Sequence, residues 1–100
     1  SMVHEGKASI LTTLDDGEIK EYEIEIIRVN RQSIPSQKSL IVKVTDPELL
    51  KKTGGIVQGM SGSPILQDGR IVGAITHVFV NDPTKGFGIF IEWMLQQTDF

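Results

Sequence analysis

The chain has 100 residues, no cysteine, two histidines and a net charge of −3. That length holds one domain with one core, and a hydrophobic share of 39% with 23% charged residues is ordinary globular composition. It excludes a disulfide scaffold, a thiol nucleophile and a cysteine-ligated zinc site, weakens any case for a nucleic-acid partner, and leaves no apolar run long enough for a membrane-spanning helix.

Ser1-Met2 reads as a cloning remnant, so the chain is expected to be a piece of a longer protein, with no secretory signal inside these residues. Ile10 to Leu14 is a short β-rich run, and Asp15-Asp16-Gly17 is a turn signal. From Glu18 to Val29, Tyr22, Ile24 and Ile26 share one face while Glu21, Glu23 and Glu25 share the other. This period of two predicts a half-buried strand with a solvated acidic face. Binding of a basic peptide is the minor alternative for that stripe. Parity switches at Ile27, which predicts a bulge near Ile26–Ile27. The two runs form a hairpin.

Residues 30–39 read as a loop, Leu40 to Val44 as a strand, and Pro47 to Lys52 as a short helical turn. Asp46 is placed to cap that turn, with Pro47 at its first position and Gly54-Gly55 ending it. Ile65 to Gln67, the turn Asp68-Gly69, and Arg70 to Val80 predict a second hairpin. Its second arm is nearly all apolar and is expected to be a central strand buried on both faces. Asn81-Asp82-Pro83 is a turn, Phe87 to Ile91 a last strand, and Glu92 to Gln97 a short C-terminal helix. Trp93, Phe87 and Phe90 are expected in the core. Six or seven closely spaced strands predict an all-β fold, a small antiparallel barrel or sandwich.

The chemistry concentrates in Gly59-Met60-Ser61-Gly62-Ser63-Pro64. A serine between flexible neighbours on a loop entering a strand can expose its hydroxyl. The amides of Gly59 and Ser61 can turn toward one point, which supplies a nucleophile with an oxyanion hole. On composition alone, a plain Gly/Ser loop between strands is the commoner outcome.

The hexapeptide resembles the Gly-Asp-Ser-Gly-Gly-Pro signature of trypsin-like serine proteases, and residues 65–76 resemble the hairpin that follows it there. Thr53 to Leu95 (TGGIVQGMSGSPILQDGRIVGAITHVFVNDPTKGFGIFIEWML) is similar to the SpoIVB peptidase family, the stage IV sporulation serine peptidases. KSLIVKVTDPELLKK (Lys38 to Lys52) fits the same family, as does EGKASILTTLDDGEIKEYEIEIIRVNRQS (Glu5 to Ser33) less specifically.

The resemblance implies the C-terminal barrel of a two-barrel peptidase, with the N-terminal half and any PDZ domain absent. It implies Ser61 as nucleophile, the Gly59 and Ser61 amides as oxyanion donors, and Asp46 as triad acid. Asp46 then has two readings, cap and acid, with one carboxylate oxygen available for each. The strand at Thr76, His77 and Val78 is expected to border the cleft and pair with the substrate backbone. His77 has three readings: a buried or half-buried histidine with a backbone partner, a side chain lining the substrate path, or a replacement base. The family's histidine lies far upstream of the serine. His4 sits near a terminus without fixed geometry, so it does not fill that role, and the isolated chain is expected to be nearly inactive.

No cofactor and no metal is implied. The implied partners are a polypeptide substrate (a membrane-bound regulator of an intramembrane protease, and the peptidase itself) and the N-terminal half of the same peptidase. The implied location of the parent is across the forespore membrane of a sporulating bacterium, membrane-anchored, with cleavage leading to sigma-factor activation. The alternative function is a non-catalytic barrel that binds a peptide or partner, or forms a homodimer through the face its sister barrel would cover.

Overall fold

A computed structural model describes residues 3–14, 17–30, 39–57 and 59–91. They form strands β1 (Gly6–Thr13), β2 (Ile19–Val29), β3 (Leu40–Val44), β4 (Pro64–Gln67), β5 (Arg70–Val78) and β6 (Lys85–Phe90), with one helix, α1 (Pro47–Thr53), between β3 and β4. The strands close into an antiparallel barrel in the order β1-β2-β3-β6-β5-β4. Closure removes long sheet edges, which is how a small all-β chain avoids exposing unpaired backbone.

The β1–β2 hairpin follows the alternation. Tyr22, Ile24 and Ile26 are buried, and Glu21, Glu23 and Glu25 are exposed. The register between β2 and β3 shifts between Ile26 and Arg28, where the parity switch predicted a bulge. β1 begins at Gly6, four residues before the predicted Ile10. Gly6 to Ser9 lack strand propensity, but β2 is long enough to pair with them, Gly6 opposite Ile26 and Ala8 opposite Ile24. Asp68 and Gly69 both take positive φ, 54° and 79°, as a two-residue hairpin turn requires.

β5 differs from the prediction. It ends at Val78, and only Val72 to Ile75 are buried. Ile71 is 47% exposed and Val80 95% exposed. A six-stranded barrel has one inner face, so an apolar run on one of its strands cannot be covered on both sides over its whole length. The last strand starts at Lys85 and ends at Phe90. Phe90 is in the core, but Phe87 is only half-buried and stacks on Phe79, ring centroids 4.6 Å apart. The predicted C-terminal helix and Trp93 lie outside the described residues.

β3 and β4 stand on opposite sides of the ring, so the segment between them crosses one end of the barrel. Leu49, Ile56 and Met60, all buried, plug that end. Asp46 starts α1 as predicted: Oδ1 accepts from the Glu48 amide at 2.9 Å and the Leu49 amide at 3.4 Å. Gly54, left-handed at φ 77°, ends the helix and donates to the Leu50 carbonyl. No helix of the described residues is long and apolar enough to cross a membrane.

Candidate active site

Ser61 lies on the loop between the plug and β4. Gly59 and Gly62 flank it at φ 103° and 89°, a left-handed backbone that L side chains rarely adopt. A Cβ at either glycine would meet nothing within 4 Å, so backbone conformation, not crowding, calls for glycine there. The loop is held on both sides. Met60 N donates to the Val57 carbonyl at 3.1 Å and Ser63 N to the Met60 carbonyl at 2.9 Å. Gly62 N donates to the Ile75 carbonyl at 2.7 Å, and Ile75 N to the Ser63 carbonyl at 3.0 Å. The last two bonds carry the β4–β5 ladder one residue beyond β4, so Ser61 leaves the barrel wall at a defined point.

The Ser61 side chain is exposed, and its hydroxyl donates to the Thr76 carbonyl at 3.1 Å. Thr76 is the residue left out of the β5–β6 register, which shifts between Ile75 and His77. A bulge frees a carbonyl from the regular ladder, and this one receives the serine. Among the described residues, the amides of Gly59 and Ser61 donate to no protein acceptor. The loop that carries the exposed hydroxyl thus also carries two amides without a protein acceptor among the described residues.

The bulge also sets the strand edge beside Ser61. Beyond it, Phe79 N donates to the Lys85 carbonyl at 3.0 Å, so the odd residue faces β6. By alternation, the amide and carbonyl of Val78 face the other way. On that side β4 starts only at Pro64, opposite Ala74. Among the described residues, Val78 therefore presents an unpaired backbone edge two residues from the carbonyl that holds Ser61.

His77 is opposite Phe87 on the outer face, is exposed, and has no side-chain hydrogen bond among the described residues. The reading of a buried histidine with a backbone partner is thereby corrected. The same bulge that exposes the Val78 edge turns the His77 ring outward.

Asp46 and Ser61 are not brought together. The second carboxylate oxygen of Asp46 accepts from the Glu23 amide on β2 at 2.9 Å, and Asp46 N donates to the Glu23 carbonyl at 3.1 Å. Thr76 sits level with Leu40 and Ile41 across β6, and Asp46 lies five residues past Ile41 toward β2. At about 3.3 Å per residue and 4.8 Å per strand, five residues along and two strands across put the two sites on the order of 20 Å apart. Both oxygens are thus used structurally.

His4, expected to lack a fixed position, has one. Its amide donates to Gln67 Oε1 at 3.0 Å, and Gln67 Nε2 donates back to the His4 carbonyl at 2.8 Å. Nε2 of its ring lies 2.9 Å from Asp68 Oδ2, and Nδ1 lies 2.9 Å from the Glu5 carbonyl. These contacts hold its pKa above the ordinary histidine value, the Glu5 carbonyl first and the Asp68 carboxylate second. Gln67 pairs with Arg70, six residues along β5 from Thr76, which places His4 about 20 Å from Ser61.

Sequence reasoning missed Gln67, a buried amide whose bonds to His4 and Lys7 clip the N-terminal segment to the hairpin. A cavity of about 400 Å³ is lined by Lys7, Glu23 and Thr45 on the β1–β2 face. Among the described residues, no group of three or more histidines and carboxylates could hold a metal ion.

No curated protein and no solved structure matches the chain. The family described as SpoIVB peptidase S55 matches residues 1–95, a span that includes the Ser61 loop, the bulge and the open edge of β5; the chain belongs to that peptidase family.

Proposed function

We propose that this chain is the nucleophile-bearing barrel of a serine endopeptidase. The observation that carries the reading is the exposed Ser61 hydroxyl beside the unengaged Gly59 and Ser61 amides, next to the unpaired edge of Val78. A substrate strand pairs along Thr76 to Val78, which brings its carbonyl to Ser61. Oγ attacks the carbonyl carbon as a base removes its proton, and the two amides stabilise the oxyanion. The leaving amine takes that proton, and water then hydrolyses the ester. His4 lies far along the hairpin from Ser61 and His77 is opposite Phe87 on the outer face, which supports a base supplied by the other half of the peptidase and little activity in the isolated chain. In the parent, this site acts in the sporulation signal, cleaving the peptidase itself and a membrane-bound regulator outside the forespore membrane. Asp46 enters as the residue that ties α1 to β2; its geometry supports that role rather than the triad acid.

The test is Ser61→Ala in the parent protein, which is expected to abolish cleavage of the regulator and of itself. Retained cleavage would overturn the assignment. The second reading, a non-catalytic interaction barrel or homodimer, is favoured by the Ser61 proton being directed at a backbone carbonyl. A dimer by light scattering with no labelling by a fluorophosphonate in the presence of the other half would select it.

A further inference from the structure

Of the five large exposed hydrophobic residues among those described, Val57, Val78 and Val80 belong to the two segments that flank Ser61, at 39%, 37% and 95% exposure. The side-chain directions follow from the ladder. A Cβ on Gly88 would meet the buried Ile65 and Leu40 side chains, so Gly88 faces the barrel interior. Gly86, two residues back, faces the same way. Val78 is directly opposite Gly86, and opposite residues of an antiparallel pair share a face. Val78 therefore points to the mouth of the barrel, on the side where the Gly59–Ser61 loop passes.

The floor of that mouth is Ile56. A Cβ placed on Gly86 would lie 2.7 Å from Ile56 Cδ1, so the isoleucine fills the space up to the β6 backbone. Ile56 is itself pinned, its amide donating to the Pro83 carbonyl at 2.7 Å. Val57 follows it on the rim, and its carbonyl holds the Met60 amide next to Ser61.

We infer that Ile56, Val57 and Val78 form a shallow apolar recess that selects a short aliphatic side chain of an extended polypeptide, at the residue beside the attacked carbonyl. The occupant is a strand because the amide and carbonyl of Val78, without a protein partner among the described residues, border the recess and offer the pair of bonds that an added extended backbone makes. Its side chain is aliphatic because no charged group forms the floor or the two valine walls, and a buried lysine, arginine or carboxylate there would lack a partner. It is short because Ile56 occupies the depth that an aromatic ring would need. The inference rests on Ser61 as nucleophile, but its test does not.

The Ser61→Ala chain is titrated with capped Ser/Thr hexapeptides that differ only at one central residue, Val, Phe or Lys. Methyl NMR of Val57 and Val78 and exchange protection of the Val78 amide report binding. The Val peptide is expected to shift both methyls, protect the amide, and bind at least tenfold more tightly than the Phe or Lys peptides. Ile56→Ala is expected to bring the Phe peptide within threefold of the Val peptide. Because Ile56 is a core residue, Val57→Asp on the rim provides a second variant, expected to improve binding of the Lys peptide tenfold. Equal affinity for the three peptides, shifts confined to the Glu21–Glu25 face, or no binding to millimolar concentration would each overturn the inference. Hydrolysis that survives Ser61→Ala would instead overturn the reading of the nucleophile, and leaves this measurement standing.

Discussion

Removing the Asp46 side chain separates its structural role from a catalytic one. In Asp46→Ala, α1 loses its N-terminal cap, the bonds to Glu48 and Leu49. A lost cap costs about 1 kcal/mol, with an upper end near 2. The bond from Oδ2 to the Glu23 amide is lost as well. Because it is exposed, water replaces part of it, and its share is about 0.5–1 kcal/mol. Together these give about 2 kcal/mol. For a chain of this size, with a urea slope of about 1.3 kcal/mol per M, the midpoint falls by about 1.5 M with the slope unchanged. Asp46→Asn keeps one acceptor but turns an NH2 group toward a donor, so it should fall between wild type and alanine. The assay is urea unfolding of the 100-residue chain followed by circular dichroism. A midpoint shift below about 0.4 M for alanine would refute the account, because neither the cap nor the link to β2 would then be contributing. The measurement needs no substrate, so a catalytic role cannot mimic it.

Two further outcomes follow from the same structure. Gly55→Ala should destabilise the barrel by about 3 kcal/mol or more, read as a thermal shift of more than about 10 °C, since Gly55 sits at φ 140° and a Cβ there would lie 2.2 Å from the Pro83 carbonyl oxygen; a shift under 3 °C would contradict the close approach. The raised His4 pKa links stability to pH: the folded state favours the protonated ring, so the contribution is present below the unfolded value of 6.5 and is lost as pH rises through the folded value. An NMR titration of the His4 ring should show the raised midpoint, and Asp68→Asn should bring it partway back toward 6.5, the Glu5 carbonyl retaining the rest; an unchanged midpoint in that variant would rule out the Asp68 contact.

Much of the fold was legible because local chemistry and tertiary demand agree. The period of two across Tyr22, Ile24 and Ile26, the Asp68-Gly69 turn, and Asp46-Pro47 ahead of an amphipathic turn each have one low-energy outcome. β1 was under-read because pairing with a long neighbour recruits Gly6 to Ser9 despite their propensities. β5 was over-read because a run of apolar residues does not say how many layers will cover it. Val80 and Ile71 belong to the same run as Val72 and Ile75, yet only the latter meet the barrel core.

That Ser61 stands on a loop between glycines, that a hairpin follows it, and which peptidase family this pattern resembles are all readable along the chain, because glycine freedom and turn chemistry are local. Tertiary structure alone decided what surrounds the hydroxyl. The bulge at Thr76, a mismatch of register between two strands, aims a carbonyl at Ser61, turns His77 outward and leaves the Val78 edge unpaired. Barrel closure brings Asp46, at the start of α1, against the Glu23 amide of β2. Register and closure are properties of pairs of strands, and they set distances that spacing along one chain cannot.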